Sequence, residues 1–497
     1  MMLSRIDPDT VLPSAWPASP NEMAPADPDA AITTHDPAEP ARILAHVAVA
    51  DRACRDAVLE RAGDAFQAWS SRTTADRCEA LQRWLQRIEA HAEPIAARMT
   101  DEQGKPSGES RGEIAKALRE ARQMLAFAAR HGGTVLPAGR PGYTNRVLRR
   151  PHGVVLAITP WNFPVLTPMR KLVPALVTGN AVVLKPSEFT PSAALALAEL
   201  SEALLPSGCL SLLFGGGEVA ADLTGDPRVR AISFTGSVDT GRRVAITAAQ
   251  GLKPVSLELG GKNGALLDDI AVPEVALDAI VGAAFQCSGQ RCTSISRVIV
   301  ARAALQRTVD GLGERLSALV AGRGQDPATT LGPITTPAQL QRIEHLVDRA
   351  VTDGAQCLIG GERLQPASAP TGRFYAPTLL RVEDPHNVAV QEEIFGPVLG
   401  VQGFDDDDEA FALLNGTRFG LSSAIFTDRA PFASRALAEA RSGMIHINHG
   451  TVPDDNMPFV GVAQSGLGIG SVGPSTLDFY TTEHSAFVAV SERGTLA

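Results

Sequence analysis

Apolar positions recur at two periods along this chain, and the change of period divides it. From Asp51 to Arg130 the spacing is helical. Leu81, Trp84, Leu85, Ile88 and Ile95 fall on one buried face. Gly132-Gly133 closes that stretch, and 146–150 then alternates loosely, as an exposed strand does. From Val154 onward short β-branched runs alternate with helical ones. The pattern predicts strands at 154–158, 181–184, 210–214, 230–234 and 255–259. Helices are expected between them at 168–177, 192–205, 219–223 and 238–250. After Lys262 the alternation resumes, with strands at 265–267, 298–300, 355–359 and 398–404 and helices at 271–285, 304–321, 337–353 and 408–415. Alternating β and α predicts an α/β fold of parallel strands covered by helices on both faces. Two such units in tandem would meet near residue 261, and a last strand is expected over 478–490. No internal repeat of roughly 20–50 residues is present.

Composition narrows this picture. A chain of 497 residues is too long for one ordinary core. Hydrophobic residues make 44% and charged residues 20%, as in a soluble globular protein. The net charge of −10 argues against a nucleic-acid or acidic-membrane partner, since both need a basic face. Residues 1–30 carry Pro8, Pro13, Pro17, Pro20, Pro25 and Pro28 and no continuous apolar run. They read as a mobile extension and not as a signal peptide. The most apolar stretch, 172–184, is interrupted by Pro174, Gly179 and Asn180, short of the ~18 residues that span a bilayer. The acidic run Asp405-Asp406-Asp407-Asp408-Glu409 reads as a solvated loop entering a helix. Cys54, Cys78, Cys209, Cys287, Cys292 and Cys357 are sparse, which fits a reducing, cytoplasmic compartment better than a disulfide framework. No His lies near Cys287 and Cys292 and there is no second Cys pair, so no metal site is expected.

Candidate chemistry gathers in a few runs. Cys292, in Ser288-Gly289-Gln290-Arg291-Cys292-Thr293, lies 34 residues after Glu258, in Glu258-Leu259-Gly260-Gly261-Lys262. A thiol can attack an electrophilic carbon. A carboxylate flanked by apolar residues can be a base whose pKa is raised by desolvation. Phe234-Thr235-Gly236-Ser237-Val238-Asp239-Thr240-Gly241 leaves a strand and enters a helix. A glycine turn at a helix N-terminus frees N–H groups for a pyrophosphate. Gly215-Gly216-Gly217 also follows a strand, and no G-x-G-x-x-G directly follows the first strand of the unit.

Three more runs stand in chain order with these: Pro160-Trp161-Asn162-Phe163-Pro164, Leu184-Lys185-Pro186-Ser187-Glu188 and Glu392-Glu393-Ile394-Phe395-Gly396-Pro397. Together they resemble the aldehyde dehydrogenase superfamily, from roughly residue 30 to the C-terminus. The resemblance implies a small-molecule aldehyde substrate and three catalytic residues. Cys292 is the nucleophile that forms a thiohemiacetal. Asn162 donates its side-chain amide to the oxyanion, with the nucleophile's own N–H as the second donor. Glu258 activates water for hydrolysis of the thioester, a residue that CoA-acylating relatives generally lack. The cofactor is NAD, with NADP still accepted by relatives. Trp161, Lys185, Glu188, Gly217, Phe234, Gly236, Ser237, Gly241, Leu259, Gly260, Glu393 and Phe395 are the residues expected to hold it. Lys185 and Glu188 match those at the adenosine ribose, Ser237 is expected at phosphate, and Glu393 and Phe395 match those at the nicotinamide half. An acid at position 188 would repel a 2′-phosphate. The implied fold has a dinucleotide-binding domain at 31–140 and 159–260 and a catalytic domain at 261–474. A small β oligomerisation element is expected at 141–158 and 475–497, supporting a homodimer or homotetramer.

Substrate choice is less determined. Arg170 follows Asn162 by eight residues. In succinic semialdehyde dehydrogenases an Arg at this spacing helps hold the substrate carboxylate, and a guanidinium fork suits that task. The alternative is an Arg bonded to nearby protein acids. The second Arg of those enzymes, six residues before the nucleophile, is Gln286 here. The wider resemblance, including Ile447-Asn448-His449-Gly450-Thr451, is to semialdehyde dehydrogenases such as those for 2-oxoglutaric semialdehyde. Val460, Ala463 and Ile469 depart from the usual Gly, Lys and Arg. A non-catalytic dinucleotide-binding or structural protein on the same fold is the alternative from another class.

Overall fold

The structure, a computed structural model, describes residues 11–16, 31–268 and 273–489. Five parallel strands form the centre of a seven-stranded sheet: β1 (Val154–Ile158), β2 (Ala181–Lys185), β3 (Leu210–Leu213), β4 (Val229–Thr235) and β5 (Val255–Glu258). Their spatial order is 3-2-1-4-5. Val154, Leu156 and Ile158 of β1 enter one core, while Val155 and Ala157 enter the other. That period of two, apolar on both faces, is what a strand covered by helices requires. Helices α1 (Arg52–Ser70), α2 (Thr74–Ala90), α3 (Ala92–Gln103) and α4 (Ser107–Ala128) make up the long helical stretch. With α5 (Leu166–Val177) and α6 (Pro191–Leu200), α2 to α4 cover one face. Most of α1, with α7 (Gly217–Gly225) and α8 (Val238–Gln250), covers the other.

A second seven-stranded sheet holds β6 (Asn263–Leu267), β7 (Ile295–Ala301), β8 (Thr378–Arg381), β9 (Val398–Phe404), β10 (Ser422–Phe426) and β11 (Met444–Ile447). These run parallel in the order 8-9-7-6-10-11, with Gln356–Ile359 antiparallel outside β8. Helix α9 (Pro273–Phe285) packs on it. The sheet order and the helical cover give the expected α/β class. The strands β8, β10 and β11 escape the sequence pattern because four or five residues are too few for a period to show. Asp406 caps the helix Asp407–Asn415 by accepting from the Glu409 N–H, so the acidic run is the solvated helix start that its composition suggests.

Three boundaries differ from expectation. Residues 11–16 are not a mobile tail. Ala15–Trp16 adds antiparallel to β3, Val11–Leu12 pairs with Glu39–Val47, and Leu12 and Ala15 are fully buried. The rest of 1–30 lies outside the described residues. Residues 154–158 belong to the first large sheet as its central strand, not to a small separate element. Gly466–Leu467 pairs antiparallel with β5, so a segment expected in the second unit completes the first sheet. The terminal strand Thr481–Ala489 has an intrachain partner, pairing along its whole length with Tyr143–Pro151, which in turn pairs with Thr134–Leu136. Among the described residues no helix is long and apolar enough to cross a membrane.

Two tryptophans tie the helical layer together. Trp69 donates to the Leu176 carbonyl and Trp84 to the Leu197 carbonyl, each at 2.8 Å and fully buried. Trp84→Ala is expected to cost about 3–5 kcal/mol, since it opens a cavity and orphans a carbonyl. Trp84→Phe should cost less. An earlier urea transition for the first variant than for the second, read by circular dichroism, is the check.

Candidate active site

The chain leaves β5 at Glu258 and enters β6 at Asn263. The carboxyl edge of the first sheet therefore faces the amino edge of the second. Between them lies a cleft of about 1050 Å³. Its walls are the turns after β1, β4 and β5, the turns before β7 and β9, and one face of α4. On the first sheet the strand order reverses between β1 and β4, where open α/β sheets bind ligands.

Cys292 sits on the turn between α9 and β7. The chain reverses there through Cys287, Ser288 and Gly289, at φ of 54°, 53° and 71°. Two non-glycine residues in the left-handed region store strain of about 1–3 kcal/mol each, so the surroundings must hold them. The Asn263 amide donates to the Cys292 and Ser294 carbonyls at 2.7 and 2.8 Å. Gln290 donates to the Cys287 and Pro333 carbonyls at 3.1 and 3.3 Å and accepts from the Thr335 N–H at 3.0 Å. A Cβ on Gly289 would lie 2.0 Å from the Gly396 carbonyl oxygen, so only glycine passes. The Cys292 N–H makes no hydrogen bond within the described residues. Burial pushes the Cys292 thiol up to about 12, Glu393 and Glu258 add to this, and Arg291 and Arg170 oppose it.

Asn162 is buried on the turn after β1. Its amide gives one N–H to the Gln290 carbonyl at 2.9 Å, leaving the second for a ligand. The turn itself is clamped by a buried ion pair absent from the sequence reading. Lys105 contacts Glu113 at 2.7 Å and donates to the Asn162 carbonyl at 2.6 Å. Glu113 accepts from the Val165 and Leu166 N–H groups at 2.8 and 2.9 Å. Burial works against the Lys105 charge, but Glu113, Cys287 and Glu109 together raise its pKa above the ordinary value.

Glu258 ends β5, buried, and accepts from the Ser471 N–H at 2.9 Å. Its field reaches Cys292, Arg170 and Lys171. Lys171, buried on α5, donates to the Ser233 hydroxyl at 2.9 Å, and burial pulls it down to about 8. The signal for it was available: Arg170 and Lys171 are adjacent cations in a helix otherwise made of apolar and small residues. Arg170 is not the free anchor that its spacing suggests. Its fork donates twice to Glu120, both bonds at 2.7 Å, and its guanidinium lies 4.7 Å from the Phe459 ring centroid.

Of the residues expected to hold the cofactor, Trp161, Gly236, Ser237, Leu259, Gly260, Glu393 and Phe395 line the cleft. Trp161 meets Phe395 edge-on at 5.6 Å. Ser237 caps α8 by accepting from the Thr240 N–H. Of the first turn, the Val238 and Asp239 N–H groups make no hydrogen bond among the described residues, and both residues line the cleft. Two glycines allow close approach: a Cβ on Gly241 would meet Leu259 at 2.4 Å, and one on Gly260 would meet Glu393 at 2.1 Å. Phe234 is a core residue beneath Gly236, where its ring forbids a Cβ at 2.6 Å. Lys185 and Glu188 lie beyond the cleft lining at the end of β2, paired with each other at 3.1 Å. Gly217 opens α7 with nothing within 4 Å of a Cβ, so no close contact requires glycine there. The open N–H groups at α8 and the glycine cradle fit a dinucleotide. Burial pushes Glu393 up to about 7, with the Gly261 N–H and Lys262 holding it down.

Comparison with known proteins agrees with this geometry. The aldehyde dehydrogenase family model matches residues 24–485. The chain belongs to the aldehyde dehydrogenase family. It is 37% identical to the mitochondrial succinate-semialdehyde dehydrogenase of Arabidopsis thaliana over 84% of this chain and 80% of that one. It is also 37% identical to the glutarate-semialdehyde dehydrogenase of Pseudomonas putida, over 82% and 85%. A betaine aldehyde dehydrogenase from Staphylococcus aureus, solved with NAD+, superposes with a TM-score of 0.92 at 29% identity, covering 98% of this chain and 97% of that one. This aldehyde dehydrogenase is therefore an NAD(P)-dependent oxidoreductase that converts an aldehyde to a carboxylic acid. Glu258 raises the Cys292 pKa through its charge. Glu258→Gln should accordingly move the pH profile of Cys292 alkylation by iodoacetamide to lower pH. An unmoved or opposite profile would refute that electrostatic account.

Proposed function

We propose that Cys292, Asn162 and Glu258 are the catalytic residues of this aldehyde dehydrogenase. The observation that carries the reading is their convergence on one cleft, at the junction of the two sheets, beside a dinucleotide cradle. Cys292 loses its S–H proton to solvent water, and the thiolate sulfur bonds the aldehyde carbon. Charge that builds on the aldehyde oxygen meets the free Asn162 N–H and the Cys292 N–H, donors already fixed before the reaction. NAD(P)+, when bound, supplies the acceptor for the hydride that leaves the thiohemiacetal carbon. The acyl group remains on Cys292 as a thioester. Glu258 then takes a proton from water, the water oxygen bonds the acyl carbon, and the thiolate leaves with a free acid as product. The open N–H groups at α8 and Ser237 would hold pyrophosphate, and Glu393 and Phe395 the nicotinamide half. Glu188 at the end of β2 supports NAD over NADP.

Under this reading the first sheet with α1 to α8 is the dinucleotide-binding unit and the second sheet carries the nucleophile. The terminal strand serves assembly. Its outer edge is free of pairing among the described residues and its Phe487 is 77% exposed, while Val135, on the strand at the opposite edge of this three-stranded sheet, is 68% exposed. An open edge with exposed apolar side chains favours pairing with a second copy. A homodimer or homotetramer follows. Six free thiols fit a reducing, cytoplasmic setting. A semialdehyde, with one carboxylate at the far end from its aldehyde, is the proposed substrate class, supported by the two semialdehyde dehydrogenase relatives.

Rapid mixing with an aldehyde and NAD+ tests the roles. Cys292→Ser should give no NADH. Glu258→Gln should give one burst of NADH per active site and then little turnover, because hydride transfer precedes hydrolysis. Asn162→Ala should lower kcat by about 10²–10³. A Glu258→Gln enzyme with full steady turnover would remove that residue from the hydrolytic step.

A further inference from the structure

We propose that Arg291, and not Arg170, binds the carboxylate of the substrate; this rests on the semialdehyde reading above. The cations of the cleft differ in what they already hold. Lys105 is paired with Glu113, Lys116 and Arg119 with Asp455, Arg170 with Glu120, Arg242 with Asp239 and Arg418 with Glu392. Among the described residues, two cleft cations contact no carboxylate. Arg342 is exposed and bonds the Glu393 carbonyl at 3.1 Å. Arg291 is 7% exposed and stands beside the nucleophile.

Every partner of the Arg291 guanidinium is neutral. It donates to the Gln286 side-chain oxygen, to the Thr293 hydroxyl at 3.1 Å and to the Thr451 carbonyl at 3.4 Å. The carboxylate whose field acts on it, Glu109, makes no hydrogen bond to it and accepts the Cys287 N–H at 2.8 Å. A buried cation surrounded by neutral groups is stabilised by an anion that reaches it. Gln286 adds to the site. Its oxygen accepts from Arg291, which leaves both amide N–H groups uncommitted, and Gln286, Arg291 and Thr293 all line the cleft. A guanidinium and a carboxamide side by side present a cluster of donors that a carboxylate can accept. The Arg170 charge is already met, because Glu120 accepts from its Nε and Nη2.

The test uses the full-length enzyme with NAD+ and pairs of substrates. Succinic and glutaric semialdehydes are each compared with their terminal amides, which keep the shape and remove the charge. The expected result is a wild-type preference for the acid, and a fall of about 10–100-fold in the acid-to-amide ratio of kcat/KM in Arg291→Gln, carried by KM. Arg291→Lys should recover part of it. Glutarate should slow iodoacetamide alkylation of Cys292 in wild type and not in Arg291→Gln, a readout free of turnover. A variant that keeps the acid preference, or loses acid and amide alike together with NAD+ affinity, overturns the assignment of Arg291. A wild type indifferent to the charge overturns the semialdehyde reading itself and the assignment with it.

Discussion

The Lys105–Glu113 pair is the contact on which the geometry of the cleft depends. Both groups are nearly inaccessible to water, so each charge carries a desolvation penalty of several kcal/mol. Their attraction offsets that penalty only because the remaining donors and acceptors are also filled. Lys105 donates to the Asn162 carbonyl, and Glu113 accepts two backbone N–H groups of the same turn. The pair therefore specifies where a short turn lies, more than it adds stability. The turn carries the amide that would face the oxyanion, and α4 supplies both the acid and one wall of the cleft. The position of Asn162 is thus set from a helix that precedes it by some fifty residues.

The turn that carries Cys292 is held by a different device. Two side-chain amides brace the turn around Cys292: Asn263 takes the Cys292 and Ser294 carbonyls, and Gln290 links the Cys287 carbonyl to that of Pro333. Asn263 opens β6, directly after the segment that brings Glu258 to the same cleft. One short connection thereby relates Glu258, Cys292 and the junction of the sheets. Acids raise the thiol pKa and guanidinium groups lower it, so the charge balance around Cys292 changes whenever a charged ligand enters.

Much of this was legible in the chain. The strands β1 to β5 follow from β-branched runs between helical ones, and α8 begins and ends where its pattern does. Cys292, Glu258 and Asn162 stand in runs whose chemistry can be stated residue by residue. The supports of those residues were not legible, since Lys105 and Glu113 look like any exposed helical pair until the fold buries them. The fate of Arg170 was equally hidden, because a fork can face a substrate or a protein acid and only the position of Glu120 decides. Short strands such as Ser422–Phe426 carry too few residues for a period to show.

The pairing of Gly466–Leu467 on β5, and the bond from Asn180 to the Tyr480 carbonyl at 2.9 Å, have a consequence for synthesis. Both join the first sheet to residues that follow the second sheet in the chain. The strands β1 to β5 can assemble before the second sheet is made, but the outer edge of β5 stays unpaired until Gly466–Leu467 has been synthesised. A growing chain thus exposes a strand edge throughout the synthesis of the second sheet, which is a period of vulnerability to association with other chains. The first sheet is in this sense begun before the second and closed after it.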